Sequence, residues 1–130
     1  MAEYERSASV NATPAATYDY LADPRHMPEY VATMTQAQPT GGGHVHVAAD
    51  VQGRHEEGEA IFRADPTMRR LEWGREGHDY HGWLIVEEGD NLSSSTVTIH
   101  LQTHDDADAV EVDRALDETM VKIENAVSTA

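Results

Sequence analysis

Alternating apolar and polar residues predict that most of the middle of the chain forms β-strands. The pattern is clearest at residues 44–52 and 95–102, where every second residue is apolar and its neighbours are polar. Period-two patterning of this kind is typical of strands that bury one face. Further strands are predicted at residues 3–11, 32–39, 54–65 and 79–88, with a short one around Leu71 and Trp73.

Two short helices are predicted directly after the first strand. Thr13-Pro14 is a strong start signal, because threonine can cap the first turn and proline suits the first helical position. The predicted helix runs to about Ala22. Asp23-Pro24 repeats the signal and predicts a second helix to about Tyr30.

The last part of the chain predicts one long helix over residues 108–130. Asp108 and Glu111 have the spacing of a capping box at its start. Its apolar residues recur every three or four positions and form one stripe. The stripe consists of Val112, Leu116, Met120, Ile123 and Val127.

This order of elements predicts an α+β fold in which an antiparallel sheet of about six to seven strands wraps around the long helix. Such a sheet has one apolar face to cover, and the helix is its cover. With 130 residues, the chain is expected to form one domain over residues 1–130. A curved sheet that grips one helix encloses a cavity between the two.

The charge balance excludes several classes of partner. The chain has 24 Asp and Glu against 9 Lys and Arg, a formal charge of -15, which repels nucleic acid and anionic membrane surfaces. There is no cysteine, no phosphate-binding loop and no dinucleotide motif, so no cofactor is expected. Residues 1–11 lack the apolar run of a signal peptide, and the protein is expected to be cytoplasmic.

Eight histidines raise the question of a metal site. His44 and His46 share one face of a strand, and two imidazoles on one face can bind zinc or copper. Their neighbours Val45 and Val47 belong to the apolar face, however, so the histidines should face solvent. We therefore predict no metal site.

The strand at 79–88 is apolar on both faces, so the sequence leaves its orientation open. Tyr80, Gly82 and Leu84 lie on one face of the strand, and His81 and Trp83 lie on the other. We expect the face that holds Tyr80 to point toward the core. Tyr80 or His81 at the mouth of a cavity is a candidate acid or base. An outward-facing Trp83 is a candidate anchor for a homodimer.

Glu56 is the third candidate for acid–base chemistry. It shares one face of the predicted strand 54–65 with Gly58, Ala60 and Phe62. A carboxylate at the inner rim of a cavity would have a raised pKa, because burial disfavours its charged form. The alternative is an ordinary solvated strand residue.

The element order and several segments resemble the START-like, or SRPBCC, superfamily, and within it the polyketide cyclase/dehydrase group. The segments that carry the resemblance are 7–12, 14–23, Met27-Pro28-Glu29-Tyr30, Leu71-Glu72-Trp73, 80–84 and 96–99. They are signatures of the helix-grip fold rather than of catalysis. Members differ in function: some bind lipids, sterols or hormones, and others cyclise or dehydrate polyketides.

The resemblance implies a pocket for a small hydrophobic or polyketide-like molecule between the sheet and the last helix. Its expected lining is Met27, Tyr30, Val47, Phe62, Trp73, Tyr80, Leu84, Val97, Leu116 and Met120. Two alternatives stay open: a cyclase or dehydratase that uses Glu56, Tyr80 or His81, and a protein–protein interaction module that uses Trp83.

Overall fold

The structure is a computed structural model that describes residues 2–31, 34–51, 53–74, 81–103 and 109–129. Its elements follow the predicted order, with seven strands, two short helices after the first strand and one long final helix. They are β1 (Ala2–Val10), α1 (Pro14–Leu21), a 3₁₀ turn (Pro24–His26) that runs into α2 (Met27–Tyr30), β2 (Met34–Gly41), β3 (His44–Val51), β4 (Arg54–Asp65), β5 (Arg70–Gly74), β6 (His81–Glu88), β7 (Ser95–Thr103) and α3 (Ala109–Thr129).

Both predicted helix starts are confirmed by their caps. The Thr13 side chain accepts a hydrogen bond from the backbone N–H of Ala16 at 3.2 Å. The Asp23 side chain accepts one from the backbone N–H of Arg25 at 3.0 Å. Each bond satisfies an N–H group that the first turn would otherwise leave without a partner. The predicted cap at Asp108 lies outside the described residues.

The strands form one antiparallel sheet in the order β1-β7-β6-β5-β4-β3-β2. Five of the six pairings join strands that follow each other along the chain, and the sixth pairs β1 with β7. The sheet is open and curved, and α3 lies against its concave face, as the helix-grip prediction required. In the parts of the chain described above, no helix has the length and apolar character needed to cross a bilayer.

The core lies between the concave face and the helices. Alternation is clear in β6 and in the first half of β7, where Leu84, Val86, Val97 and Ile99 are buried and their neighbours are more exposed. The predicted stripe of α3 is confirmed, because four of its five residues are buried and Val112 is partly buried. The helix therefore covers the sheet with the face that the periodicity indicated.

Arg6 links β1, at the edge of the sheet, to α3 through two ion pairs. Its guanidinium donates to Asp113 at 2.7 Å and to Asp117 at 2.8 Å, one turn apart on the helix. The Arg6 side chain is only 33% exposed, so these pairs are less hydrated than ordinary surface ion pairs.

We expect Arg6→Ala to lower the free energy of unfolding by about 1 kcal/mol, because two charge-assisted hydrogen bonds near the surface are lost together. Urea unfolding followed by circular dichroism measures the change. Arg25→Ala, which removes an exposed pair with Asp23, serves as the comparison. An equal loss in both variants would contradict a special role for Arg6.

Candidate functional site

The floor of the concave face is built around Trp73 and Gly82. The pairing of β5 with β6 places the two residues opposite each other. A Cβ atom at position 82 would lie 2.6 Å from the indole carbons Cε2 and Cζ2 of Trp73, closer than any real contact. The indole ring therefore lies across β6 in space that only glycine leaves free.

An apolar row continues on both sides of Trp73 across the concave face. Pairing places Phe62 beside Trp73, Leu101 beside Gly82, and Tyr4 beside Leu101. Phe62 is buried, whereas Trp73, Leu101 and Tyr4 are only partly buried. The row crosses five adjacent strands and holds three aromatic side chains, of which Trp73 and Tyr4 are not fully covered by the described residues.

Most of the predicted pocket residues lie in the core. Seven of them are buried: Met27, Tyr30, Phe62, Leu84, Val97, Leu116 and Met120. Val47 and Trp73 are partly buried and pack against this core. Tyr80 lies outside the described residues. Contact of any of them with a ligand stays a prediction.

Sequence reasoning missed Tyr4 and Leu101 as members of this surface. Both are apolar residues in predicted strands, which was the only available signal. Their place beside Trp73 depends on the pairing of β1 with β7 and of β7 with β6. Local patterning carries no information on such pairings.

Two tyrosines form hydrogen bonds between α1 and α2. The buried Tyr30 hydroxyl donates to the Leu21 carbonyl at 3.1 Å, and burial raises the pKa of Tyr30 above its usual range. The Tyr20 hydroxyl donates to a Glu29 carboxylate oxygen at 2.6 Å, and its ring stacks on His26 at 4.2 Å. Burial, with a further contribution from Glu29, raises the pKa of Tyr20 to about 12. These groups tie α1 to α2 and keep their protons at neutral pH.

Glu56 has the solvated position that the sequence left open as the alternative to a buried acid. Pairing with Ala49 places it on the concave side, as predicted. Its side chain is nevertheless 55% exposed and lies 4.0 Å from Arg54, because β4 extends beyond β5 at this end. Glu56 is therefore a solvated charge rather than a buried acid.

The orientation of β6 agrees with our prediction and places His81 away from the concave face, where a pocket was expected. Gly82, Leu84 and Val86 are buried on the concave side. His81 alternates with them and is exposed on the outer, convex face, so it cannot act at the mouth of a concave pocket. His78, Asp79 and Tyr80 lie outside the described residues.

The outer face of β3 and β4 carries an exposed network of histidines and carboxylates, as expected for His46. Glu57 accepts from His46 at 3.0 Å and from His55 at 2.9 Å, and Asp50 contacts His55 at 2.9 Å. The hydrogen bond to Glu57 raises the pKa of His46, and those to Asp50 and Glu57 raise the pKa of His55. Both histidines lower the pKa of Glu57. Nowhere in the described ranges do three or more such side chains meet in a way that could hold a metal ion.

Two buried hydroxyl groups, those of Thr17 and Ser95, have hydrogen-bond partners. The hydroxyls of Thr17 and Ser95 lie 3.2 Å apart, and Ser95 donates to the Ala12 carbonyl at 2.6 Å. These bonds connect α1 to the start of β7. Their role is therefore structural.

Solved structures with the same fold include proteins of known and unknown chemistry. The di-domain ARO/CYC protein StfQ, from the steffimycin biosynthetic pathway, is 20% identical with a TM-score of 0.80, over 96% of this chain and 45% of that chain. The Zhui aromatase/cyclase from a Streptomyces species is 14% identical with a TM-score of 0.79, over 97% of this chain and 93% of that chain. A START superfamily protein from Mycobacterium smegmatis is 11% identical with a TM-score of 0.73, over 98% and 94%.

At these identities the likeness shows the fold alone, and the chain spans about half the length of the di-domain protein. No protein with a curated description is detectably similar in sequence. A family model described as polyketide cyclase/dehydrase and lipid transport matches residues 1–127. The chain therefore belongs to the polyketide cyclase/dehydrase and lipid transport family.

Proposed function

We propose that this protein binds a small hydrophobic molecule with a flat, aromatic or polyketide-like portion between the concave face of the sheet and α3. The observation that carries the proposal is the position of Trp73. Its indole lies across Gly82 within a row of aromatic and aliphatic side chains, and part of its surface remains uncovered by the described residues.

The physical reason is the affinity of such a surface for flat apolar molecules. Ligand pockets are lined mostly by apolar and aromatic side chains with few polar groups. An aromatic pair gains about 0.5–1.5 kcal/mol beyond the burial of its area. Trp73 and Tyr4 lie on the same row of the concave face, one on either side of β6 and β7. A fused-ring molecule on this row would contact both.

The comparisons support a ligand-binding or cyclase role in general terms. The family description includes both polyketide cyclases and lipid transport. Two structures with this fold are an ARO/CYC protein and an aromatase/cyclase. These names belong to those proteins and support a polyketide-like ligand here by analogy only.

Binding without turnover is the function we favour over a cyclase or dehydratase. Of the three candidate acids and bases, Glu56 is solvated and His81 is on the convex face. Tyr80 remains the one candidate for the enzymatic alternative. Turnover of a poly-β-keto chain that is lost in Tyr80→Phe while binding persists would favour the enzyme.

Comparison of the two tryptophans tests the proposal. We expect Trp73→Ala to weaken binding of a flavonoid or polyketide mimic at least about tenfold, because the main stacking surface is lost. Trp83→Ala is the matched control, since Trp83 lies on the opposite face of the sheet. Thermal-shift titration and native mass spectrometry measure the affinity.

Equal weakening in the two variants would contradict this site. A wild-type protein that carries no co-purified ligand and also ignores fatty acids, flavonoids and polyketide mimics would overturn the binding function itself.

A further inference from the structure

The convex face of the sheet carries a row of side chains whose charge changes sign from one end to the other. The row crosses five strands, from β4 to β1, and each member pairs directly with the next. Its members are Arg63, Glu72, Trp83, His100 and Glu5. Trp83 is at the centre, and strands lie about 4.8 Å apart, so the two end charges lie roughly 10 Å away on opposite sides.

Trp83 is held in place by its neighbours on this face. The guanidinium carbon of Arg70 lies 4.7 Å from the centroid of the Trp83 ring. The His100 ring stacks on Trp83 with centroids 5.3 Å apart and planes 10° apart. Arg70 is itself paired with Glu72 at 3.0 Å. A tryptophan that is fixed before binding loses little entropy on contact, which is typical of the anchors of interfaces.

The charges at the two ends of the row are available to a partner. Arg63 is exposed, and within the described ranges no carboxylate forms an ion pair with it. Glu5 is 60% exposed at the other end, beside His100. A groove of about 480 Å³ at the β4–β5 turn is lined by Arg63 and Arg70 together with Asp65 and Glu72. The positive charge of Arg63 at this end suits a carboxylate, and Glu5 of a second copy supplies one.

We propose that two copies of this chain pack convex face to convex face about a two-fold axis that runs along β6 through Trp83. This rotation reverses the row, so it places Arg63 opposite the partner's Glu5 and Glu72 opposite the partner's His100. Trp83 then meets the partner's Trp83, and the partly buried Ile85 meets the partner's Ile85. Sheets commonly pack face to face in this aligned way, about 10 Å apart.

The charges also reject the other simple arrangement. A two-fold axis along the row instead of along β6 would place Arg63 against the partner's Arg63 and Glu5 against the partner's Glu5. Opposed like charges disfavour an interface. The sign pattern therefore selects one orientation, while repulsion between the two negatively charged copies weakens the association.

A charge-swap experiment tests this dimer. Sedimentation velocity over a concentration series of the full chain should show twice the monomer mass at the high end. We expect Arg63→Glu and Glu5→Arg each to weaken the dimer about tenfold or more, because each opposes like charges at both ends of the interface. The double variant with both substitutions should restore it.

Charge reversals elsewhere serve as controls. Arg54→Glu on the concave side and Glu118→Arg on α3 change the net charge equally and should leave the dimer intact. A wild-type protein that is monomeric at every concentration overturns the proposal. So does a double variant that stays as weak as the single variants. Ligand binding at Trp73 is measured separately, and neither result depends on the other.

Discussion

A methyl group at Gly82 should displace Trp73 and destabilise the protein. In Gly82→Ala the new Cβ would lie 2.6 Å from two indole carbons and 2.7 Å from the indole nitrogen. Because β5 and β6 are paired at this point, neither backbone can move away without breaking the ladder. Overpacking of this kind costs about 1–3 kcal/mol. Thermal unfolding and near-ultraviolet circular dichroism of the tryptophans measure both effects.

A double-mutant cycle separates the Trp73 clash from other causes. If the indole is the obstacle, Gly82→Ala should cost much less in a Trp73→Ala background, and the coupling energy should exceed about 0.5 kcal/mol. Strictly additive losses would mean that Gly82 is required for another reason. In the single variant, ligand affinity should also fall, because the proposed stacking surface is displaced.

Truncation of Ile123 should produce the second large loss of stability. Ile123 is 0% exposed in the stripe with which α3 covers the sheet. Removal of a buried aliphatic side chain leaves a cavity and costs about 2–5 kcal/mol for Ile→Ala. Urea unfolding should therefore show a much lower midpoint for Ile123→Ala than for the wild type.

Val121→Ala is the matched control on the same helix. Val121 is 54% exposed, and surface substitutions of this kind usually change stability by less than about 0.5 kcal/mol. Similar losses in the two variants would mean that α3 does not cover the sheet with the face containing Ile123. The comparison thus tests the orientation of the helix over the concave face.

Local signals in the sequence were sufficient to predict the strands and helices and their order along the chain. Thr13-Pro14 and Asp23-Pro24 start helices because the cap bonds that they make are local in the chain. Alternation in residues 95–102 identified the buried side of β7, since the period of a strand is a property of the backbone. The spacing of the apolar residues in α3 identified its covered face for the same reason.

Glu56 and β6 show what a single strand cannot reveal about its surroundings. Glu56 shares the concave side with Phe62, as its parity predicted, yet it is solvated because β4 extends beyond its neighbour β5. Both faces of β6 are apolar in sequence. Leu84 is buried and Trp83 faces outward because the core packs against the concave face of the sheet.

The sequence by itself thus determined the order of the elements and the buried sides of β7 and α3, because these follow from patterns among residues that are close in the chain. Only the tertiary structure decided which residues become neighbours across strands. The indole of Trp73 lies over Gly82, and Tyr4 joins their row, because β5 pairs with β6, β6 with β7, and β7 with β1. The charged row on the convex face arises in the same way. Turns help to set the register between consecutive strands, but β1 and β7 lie far apart in the chain, so no turn fixes their pairing.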